Sequence, residues 1–398
     1  HQGFGRVGGD GVMAKLGEIC AFQSGGTPSK NKPEYFGGEI PWISTTALNG
    51  GKINEADAVA WITPKAIRES AAKIVPANSI MVGTRVGIGK VAINTVEMST
   101  SQDVISLIGI DKDKWYKPYL CKLLLSKKNY FNSQARGATI KGIKIDVVAN
   151  IDVPEIDYVT QRKVAATLNK IDTLIFLRKQ QLEKLDELIK ARFVEMFGDA
   201  KLNPNNLPCC SLSEYIVFLT SGSRGWSQYF TDSGEYFITI KNVKNCKITL
   251  QDVQCVTPPD NAEAKRTRVQ ENDLLISITA DLGRTGIVPK EIAEHGAYIN
   301  QHLTCIRLKQ DKLNPLYVAY YMESDAGKEQ FVAKNQSAVK AGLNFNAINS
   351  LKLMVPPLAL QNQFAAFVER VDQQKQTVQQ SLEKLELMKK ALMQEYFG

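Results

Sequence analysis

The sequence offers few residues whose type and spacing would suit catalysis. None of the three histidines lies at ligand spacing from a cysteine pair, which makes a metal site improbable. His295 and His302 have no serine or cysteine partner in a recognisable nucleophilic motif, so each is interpreted as a surface or hydrogen-bonded histidine. No cluster of carboxylates beside a lysine indicates a nuclease centre. We therefore expect no catalytic residue and no metal ligand in this chain.

Three short strings resemble nucleotide or methyl-transfer motifs but differ in detail. The string TPPD at 257–260 has the wrong residue at both ends for the Asn/Asp-Pro-Pro-aromatic motif of adenine methyltransferases. Residues 83–90 are one residue too long for a P-loop and are followed by Val91 rather than Ser or Thr, so a turn between strands explains them better. A literal GxGxxG lies within residues 1–12, which we expect to be a cloning remnant ahead of Met13.

The composition is that of a soluble protein long enough for two or three domains. Of its 398 residues, 44% are hydrophobic and 23% are charged, with a formal net charge of +8. This modest basic excess permits nucleic-acid binding without demonstrating it. Seven cysteines without a CxxC pair indicate a reduced, cytoplasmic setting. The apolar runs are too short to span a membrane, and no signal peptide is visible.

The end of the chain repeats its middle. Residues 161–198 and 361–398 align without a gap at an offset of 200, and 14 of the 38 positions are identical. The similarity continues upstream in shorter blocks, such as 78–90 with 272–284. Small changes of offset between blocks indicate that loops vary while a framework is kept. The sequence therefore predicts one module used twice.

Each copy is predicted to join a globular segment of mixed α and β structure to a long helix. Short β-branched stretches bounded by Gly, Asn or Pro indicate strands. The predicted strands are 40–44, 79–83, 91–94, 104–108, 237–240, 274–278 and 303–308. Prolines suited to a first helical turn predict helices at 118–126 and 315–324. The predicted domains are a globular segment at 13–155, a helix at 156–198, a second globular segment at 199–357 and a helix at 358–398.

The two long helices carry heptad repeats typical of a coiled coil. The predicted seam residues are Leu168, Ile175, Leu182, Ile189, Val371, Val378, Leu385 and Leu392. Arg178 and Arg192 interrupt the first seam, and Lys375 and Lys389 interrupt the second, each where the other helix is apolar. This favours pairing of the two helices with each other, as an intramolecular antiparallel coiled coil in an α+β fold. Pairing with another copy of the chain is the alternative.

Several sequence segments resemble the specificity subunit of type I restriction–modification systems, and their order along the chain recurs in the second copy. They are SGGTPS at 24–29, GEIPWIS at 38–44, TRVGIGK at 84–90, VPEIDYVTQRKVAATLNKID at 153–172, LEKLDELIKARFVEMFGD at 182–199 and VPPLALQNQFAAFVERVD at 355–372. The resemblance covers nearly all of the chain from Met13 onward. No single string is diagnostic, and the order carries the specificity.

The resemblance implies a non-catalytic DNA-recognition subunit. Each globular segment would be a target recognition domain that reads one half of a bipartite double-stranded DNA sequence, and the coiled coil would set the spacing. Two methyltransferase subunits would dock on this scaffold, and restriction/translocase subunits would join them. The chain itself would carry no cofactor, whereas S-adenosylmethionine, ATP and Mg would be bound by the partner subunits. No membrane partner is implied.

Polar residues at the predicted loop and strand ends are then the candidates for contacts with base edges and phosphates. In the first segment they are Ser29, Lys30, Lys32, Ser44, Thr45, Thr46, Thr84, Arg85, Lys90, Gln102, Arg136 and Lys141. In the second segment they are Ser223, Arg224, Lys241, Asn242, Arg284, Gln301, His302, Lys340 and Asn344. Two other functions stay open at this point. The duplicated segments could bind protein or sugar on a coiled-coil stalk, or the chain could carry an unrecognised nuclease site.

Overall fold

The computed structural model describes residues 12–137, 139–335 and 342–398, so the glycine string near the start lies outside the described residues. The fold is mixed α and β, with two tandem globular segments and two long helices. The first long helix is Tyr158–Phe197 and the second is Leu358–Phe397. The predicted α+β class is therefore confirmed.

The contacts divide the chain into two compact units, and each contains parts of both long helices. The first unit joins residues up to Gln180 with Gln379–Gly398, and the second unit is Gln181–Val378. Each globular segment therefore packs with one half of each long helix. The compact units do not follow the linear order of domain, helix, domain, helix, because the pairing of the helices brings the chain's last turns back to the first segment.

The first globular segment consists of short strands and helices. Its strands are Met13–Lys15, Ala21–Ser24, Phe36–Ile43, Lys52–Ile53, Ala60–Ile62, Ile74–Val75, Ile80–Gly83, Val91–Asn94, Met98–Thr100, Val104–Ile108 and Asp152–Pro154. Its α-helices are Leu16–Ile19, Pro64–Glu69, Lys117–Ser126, Lys128–Gln134 and Ile145–Ala149, with 3-10 turns at Pro33–Tyr35 and Glu55–Asp57.

The second globular segment has a similar order of elements. Its strands are Cys209–Ser211, Ile216–Ser221, Phe230–Thr231, Glu235–Ile238, Val243–Lys244, Lys247–Ile248, Gln254–Val256, Leu274–Ser277, Thr285–Ile287, Ala297–Ile299, Leu303–Leu308 and Lys352–Met354. Its α-helices are Ala262–Thr267, Lys290–His295, Pro315–Glu323, Asp325–Ala333 and Phe345–Asn349, with 3-10 turns at Leu212–Tyr215, Trp226–Tyr229 and Ile240–Asn242.

Both segments contain an antiparallel ladder of four strands. In the first, the strand order is Ala21–Ser24, Val104–Ile108, Ile80–Gly83 and Val91–Asn94, with Lys52–Ile53 added in parallel at the edge. In the second, the order is Ile216–Ser221, Leu303–Leu308, Leu274–Ser277 and Thr285–Ile287. The middle strands are buried on both faces, because alternate residues pack on the helices on one side and in a second hydrophobic cluster on the other.

A glutamine at the start of each long helix fastens that helix to its own globular segment. Gln161 is buried, its Oε1 accepts from Tyr116 N at 2.8 Å, and its Nε2 donates to Lys114 O at 3.0 Å. Gln361 repeats this arrangement, with Oε1 accepting from Asn314 N at 2.9 Å. All the hydrogen-bonding capacity of a buried amide must be satisfied within the protein, so this position fixes how each helix leaves its segment.

A phenylalanine at the end of each long helix enters the core of the other globular segment. Phe397 packs on Tyr119 in the first unit with ring centroids 5.3 Å apart, and Phe197 packs on Tyr317 in the second unit at 4.8 Å. Both phenylalanines are buried. The last turn of one helix therefore completes the hydrophobic core around a helix of the opposite repeat.

The lysines that interrupt the second seam pair with aspartates of the first helix. In the first unit, Asp172 accepts from Lys389 Nζ at 2.6 Å and from Lys122 Nζ at 2.7 Å. Burial alone would raise the pKa of the Asp172 carboxyl. The two lysines together lower it by more than burial raises it, so the pKa lies below its usual value. In the second unit, Lys375 pairs with Asp186. These charges fit an antiparallel register of the helices.

All eight predicted seam residues are buried or half-buried. Leu168, Ile189, Val371 and Val378 are buried, and Ile175, Leu182, Leu385 and Leu392 are half-buried. The first helix begins two residues after the predicted position because Asp157 Oδ1 accepts from Thr160 N at 2.9 Å and caps the helix. The intramolecular antiparallel pairing is confirmed within each unit.

Candidate nucleic-acid interface

A tight hairpin loop at residues 84–90 lies at one end of the first ladder. Two backbone hydrogen bonds close it, from Gly83 N to Lys90 O at 2.9 Å and from Gly89 N to Gly83 O at 3.0 Å. Gly87 and Gly89 have φ angles of 73° and 75°, in the left-handed region that favours glycine. The loop conformation therefore depends on glycine at both positions.

Two neighbouring segments hold this loop. Thr84 donates to Asp103 O from its backbone N at 2.8 Å and from Oγ1 at 3.1 Å. On the other side, Ile143 N donates to Thr84 O at 2.8 Å. The turn before Ile143 is closed by Arg136 and Gly142, which exchange two backbone hydrogen bonds of 3.0 and 2.9 Å. Three parts of the sequence thus meet at one end of the sheet.

The exposed side chains where these segments meet are basic. They are Arg85, Lys90, Lys128, Arg136 and Lys141, here called the basic loop surface. A Cβ atom added to Gly142 would lie 3.0 Å from Arg85 Cγ, and one added to Gly89 would lie 3.2 Å from Lys128 Cγ, so the segments are in close contact. Asp103 is an acidic neighbour, 3.9 Å from Arg85. This arrangement suits the binding of phosphate groups.

The second segment repeats the same backbone skeleton at residues 278–284. The matching hydrogen bonds run from Ser277 N to Arg284 O at 2.9 Å, from Gly283 N to Ser277 O at 3.0 Å, from Ile278 N to His302 O at 3.0 Å and from Leu343 N to Ile278 O at 2.9 Å. Four backbone hydrogen bonds are therefore duplicated at equivalent positions of the two ladders. The repeat preserves the loop scaffold.

The side chains on the two scaffolds differ. In the first segment, Gln102 contacts Thr27 of the loop at 24–29. In the second, His302 Nδ1 lies 2.7 Å from Thr279 Oγ1 and its Nε2 lies 3.2 Å from Gln301 Nε2. Two loops with the same backbone can approach a ligand in the same orientation, while their different polar side chains recognise different hydrogen-bonding groups on it.

Comparison with known families explains this duplication. The family model described as type I restriction modification DNA specificity domain matches residues 10–187 and 226–387. The chain belongs to this family. The membership confirms the resemblance drawn from the ordered strings of the sequence.

Relatives with similar sequences are specificity subunits. The chain is 31% identical over 198 residues to the type I restriction enzyme MjaIX specificity subunit of Methanocaldococcus jannaschii, covering 49% of this chain and 45% of that protein. It is 29% identical over 192 residues to the EcoR124I/EcoR124II specificity subunit of Escherichia coli, covering 44% and 46%. The matches thus span about half the length of these relatives. A longer match, to the EcoKI specificity subunit of Escherichia coli, is 22% identical and covers 84% and 75%.

Solved specificity-subunit structures have the same fold. The type I restriction–modification S subunit from M. genitalium covers 98% of this chain and 96% of its own, with a TM-score of 0.59 and 14% identity. A chain from a study of complex assembly and conformational transition of the type I system covers 98% of each, with a TM-score of 0.60 and 19% identity. Tandem domains joined by paired helices are therefore shared across distant sequences.

The two recognition domains place most of the predicted contact residues at the surface. Those exposed are Ser29, Lys30, Lys32, Thr46, Arg85, Lys90, Gln102, Arg136, Lys141, Arg224, Lys241 and Asn344. Those half-buried are Ser44, Arg284, Gln301 and His302. Lys340 lies outside the described residues. The hydrogen bond that Lys32 donates to the Tyr35 hydroxyl raises the pKa of Lys32.

Four predicted contact residues are buried and have structural roles. Thr45, Thr84, Ser223 and Asn242 are each at most 5% exposed. Asn242 Oδ1 accepts from Thr239 N at 3.0 Å, and its Nδ2 donates to Thr249 O at 3.1 Å. This amide also ends the predicted strand at 237–240 two residues early, because the chain turns there into a 3-10 helix. Burial of this kind is typical of polar side chains that hydrogen-bond within a loop, as the amide of Asn242 does.

Sequence reasoning missed Lys128 and the apolar loop tips Val86 and Ile140. Lys128 starts a helix, and only its contact with Gly89 reveals that it belongs to the basic loop surface. Val86 is 58% exposed and Ile140 is 62% exposed. A search restricted to polar residues could not have found them.

The described residues of this chain contain no cluster of His, Cys, Asp and Glu side chains able to hold a metal ion. Within the same ranges, no helix is both long and apolar enough to cross a membrane.

Proposed function

We propose that this protein is the non-catalytic DNA-specificity subunit of a type I restriction–modification complex, in which each recognition domain reads one half of a bipartite target. The single observation that carries this proposal is the duplicated loop skeleton, which presents different side chains in the two domains. The two loops share a backbone, so they would approach DNA in the same orientation. Their side chains differ, so they would select different bases. All seven cysteines are unpaired, as suits the cytoplasm in which we propose that the protein acts.

Replacing residues 13–155 with the corresponding domain of a relative should change one half of the target and leave the other unchanged. The reason is that the basic loop surface and the loop at 278–284 are each built within one unit. The measurement is a genome-wide map of methylated adenines in cells that express the chimaera with its partner subunits. The unmodified chain is the control, and altered recognition in both halves would contradict independent reading.

The paired helices would set the distance between the two half-sites. Half-sites read by such a protein should lie about one helical turn of DNA apart, or ~34 Å between centres. The ion pairs Asp172–Lys389 and Asp186–Lys375 define an antiparallel register in which one heptad can be removed from both helices together. A heptad shortens a helix by ~10 Å.

Deleting residues 176–182 together with 379–385 should shorten the preferred gap between half-sites by about three base pairs, because both ion pairs and the seam pattern remain in register. Selection of bound duplexes from a random library measures the gap. Deleting 176–182 alone is the matched control and should lower the melting temperature by breaking the register. An unshortened gap in a folded double-deletion variant would refute the spacer role.

The exposed apolar residues on the long helices are the proposed docking sites for two methyltransferase subunits. In the first unit they are Phe176, Leu177, Leu387 and Met388, each at least 50% exposed. Solvent-exposed side chains of this size on a charged helix favour a protein contact. S-adenosylmethionine would be bound by the methyltransferase subunits, and ATP and Mg by the restriction/translocase subunits that complete the complex.

A further inference from the structure

The basic loop surface of the first recognition domain carries two apolar side chains at its tips. Val86 follows Arg85 in the loop at 84–90 and is 58% exposed, and Ile140 precedes Lys141 and is 62% exposed. Single exposed apolar residues are ordinary on protein surfaces. Here two β-branched residues are exposed on adjoining turns that also carry Arg85, Lys90 and Lys141, and this combination suits a partner that is both anionic and locally apolar.

The backbone holds Val86 at a defined place. Thr84, two residues earlier, makes two hydrogen bonds to Asp103 O, and Gly87, the next residue, has the left-handed φ of 73°. Val86 is therefore displayed by a closed hairpin, and its stiff β-branched side chain has few rotamers to lose on binding. The turn that carries Ile140 is tied to the same hairpin, because Ile143 N donates to Thr84 O at 2.8 Å.

From this geometry we infer that Val86, assisted by Ile140, reads the 5-methyl group of a pyrimidine in the major groove of the half-site bound by the first recognition domain. This inference rests on the proposed DNA-specificity function. Phosphates would be held by the surrounding cations, and the methyl group is the apolar feature that a base edge presents in the major groove. Thymine and 5-methylcytosine carry the same group, so either could supply it.

In the described loop at 278–284, the second recognition domain has no counterpart of the Val86 side chain. The matched hydrogen bonds place Ala280 where the first domain has Val86. The next residue, Asp281, is exposed and forms an ion pair with Arg284. A carboxylate at that tip suits a donor group on a base edge and not a methyl group. Methyl reading should therefore be confined to the half-site of the first domain.

The test begins with the full chain and a random duplex library, from which the preferred target is selected. Each thymine of the target is then replaced by deoxyuridine, which removes only the methyl group. At one or two positions in the first domain's half-site, affinity should fall about fourfold per methyl group, the effect of burying one methyl. A target with 5-methylcytosine at the same positions should bind more tightly than the same target with cytosine there, because the two differ only in the methyl group. Deoxyuridine in the other half-site should have no effect.

Val86→Ala should abolish most of the thymine-over-deoxyuridine preference while the chain still binds DNA. Ile140→Ala should reduce it less. Val217→Ala is the matched control, since Val217 is 63% exposed but lies in the second unit, and its preference should equal that of the unmodified chain. Circular-dichroism melting verifies that each variant is folded.

Each outcome bears on a different statement. If no duplex is selected at all, the proposed DNA-specificity function itself fails. If duplexes are selected but thymine and deoxyuridine bind equally, DNA recognition stands and the methyl-reading inference is overturned. The inference is also overturned if Val86→Ala keeps the full preference for thymine. Loss of methyltransferase binding by Val86→Ala with that preference intact would assign the tip to a protein contact instead.

Discussion

Neutralising Arg85, Lys90, Arg136 and Lys141 together to alanine should weaken DNA binding by about a thousandfold at 0.15 M salt. Each cation that contacts a phosphate releases condensed counterions and contributes ~0.9 to the slope of log affinity against log salt. Four such contacts should reduce the slope by about 3.6, and the difference between variant and unmodified chain should shrink as salt is raised. Fluorescence anisotropy with a duplex containing the target, measured at several salt concentrations, gives both quantities.

The same number of positive charges can be removed elsewhere as a control. Lys163, Lys170, Lys184 and Lys190 are exposed along the first long helix and can be changed to alanine together. This control has the same net charge as the loop variant, so it separates local phosphate contact from the general field of the protein. A control that loses as much affinity as the loop variant would contradict the placement of DNA on the basic loop surface.

Replacing Asp273 by alanine should destabilise the second unit by about 3–5 kcal/mol, the typical cost of leaving a buried charge without its partner. Asp273 is fully buried, and Arg307 donates to it from Nε and Nη2 at 2.8 Å each. Cys305 Sγ lies 3.2 Å from the same carboxylate, and burial raises the pKa of this thiol. Removing the carboxylate takes both of these hydrogen bonds from the guanidinium, whose central carbon lies 5.0 Å from the centroid of the Phe218 ring.

The equivalent residues of the first domain suggest substitutions that should restore the stability of this variant. The strand registers place Ser79, Ser106 and Ile108 of the first domain where the second has Asp273, Cys305 and Arg307. The triple variant Asp273→Ser, Cys305→Ser, Arg307→Ile removes both charges at once and should cost less than about 1.5 kcal/mol. Hydrogen exchange followed by mass spectrometry under increasing denaturant resolves the second unit from the first. A triple variant as unstable as Asp273→Ala would show that the ion pair itself is required.

Local patterns predicted the long helices and many strands because their signals lie within a few residues of one another. The heptad seam located both helices to within two residues, and the strands at 91–94, 104–108 and 303–308 have the predicted bounds. The class of protein followed from the order of repeated strings, which is also a property of the linear sequence.

Contacts between distant residues were not accessible in this way. No residue near Phe397 in the sequence indicates that it packs on Tyr119; the sequence shows only that both helices end in Phe-Gly. Burial decides whether a polar residue is available to DNA, and Asn242 was chosen by type while its amide is used inside the fold. Val86 was not chosen because it is apolar, yet its side chain is exposed and therefore available for binding. Tertiary surroundings, and not residue type, separate these cases.

The packing of Phe397 and Tyr396 into the core of the first globular segment constrains the order in which the molecule can mature. Translation proceeds from the N-terminus, so about 240 residues must be added between the end of the first segment and Phe397, at roughly 5–20 residues per second. For more than ten seconds on that scale its core lacks two aromatic side chains and exposes the surface that they will cover. The nascent first segment must therefore remain soluble in an incomplete form, and chaperone protection during this interval would matter more for it than for the second segment.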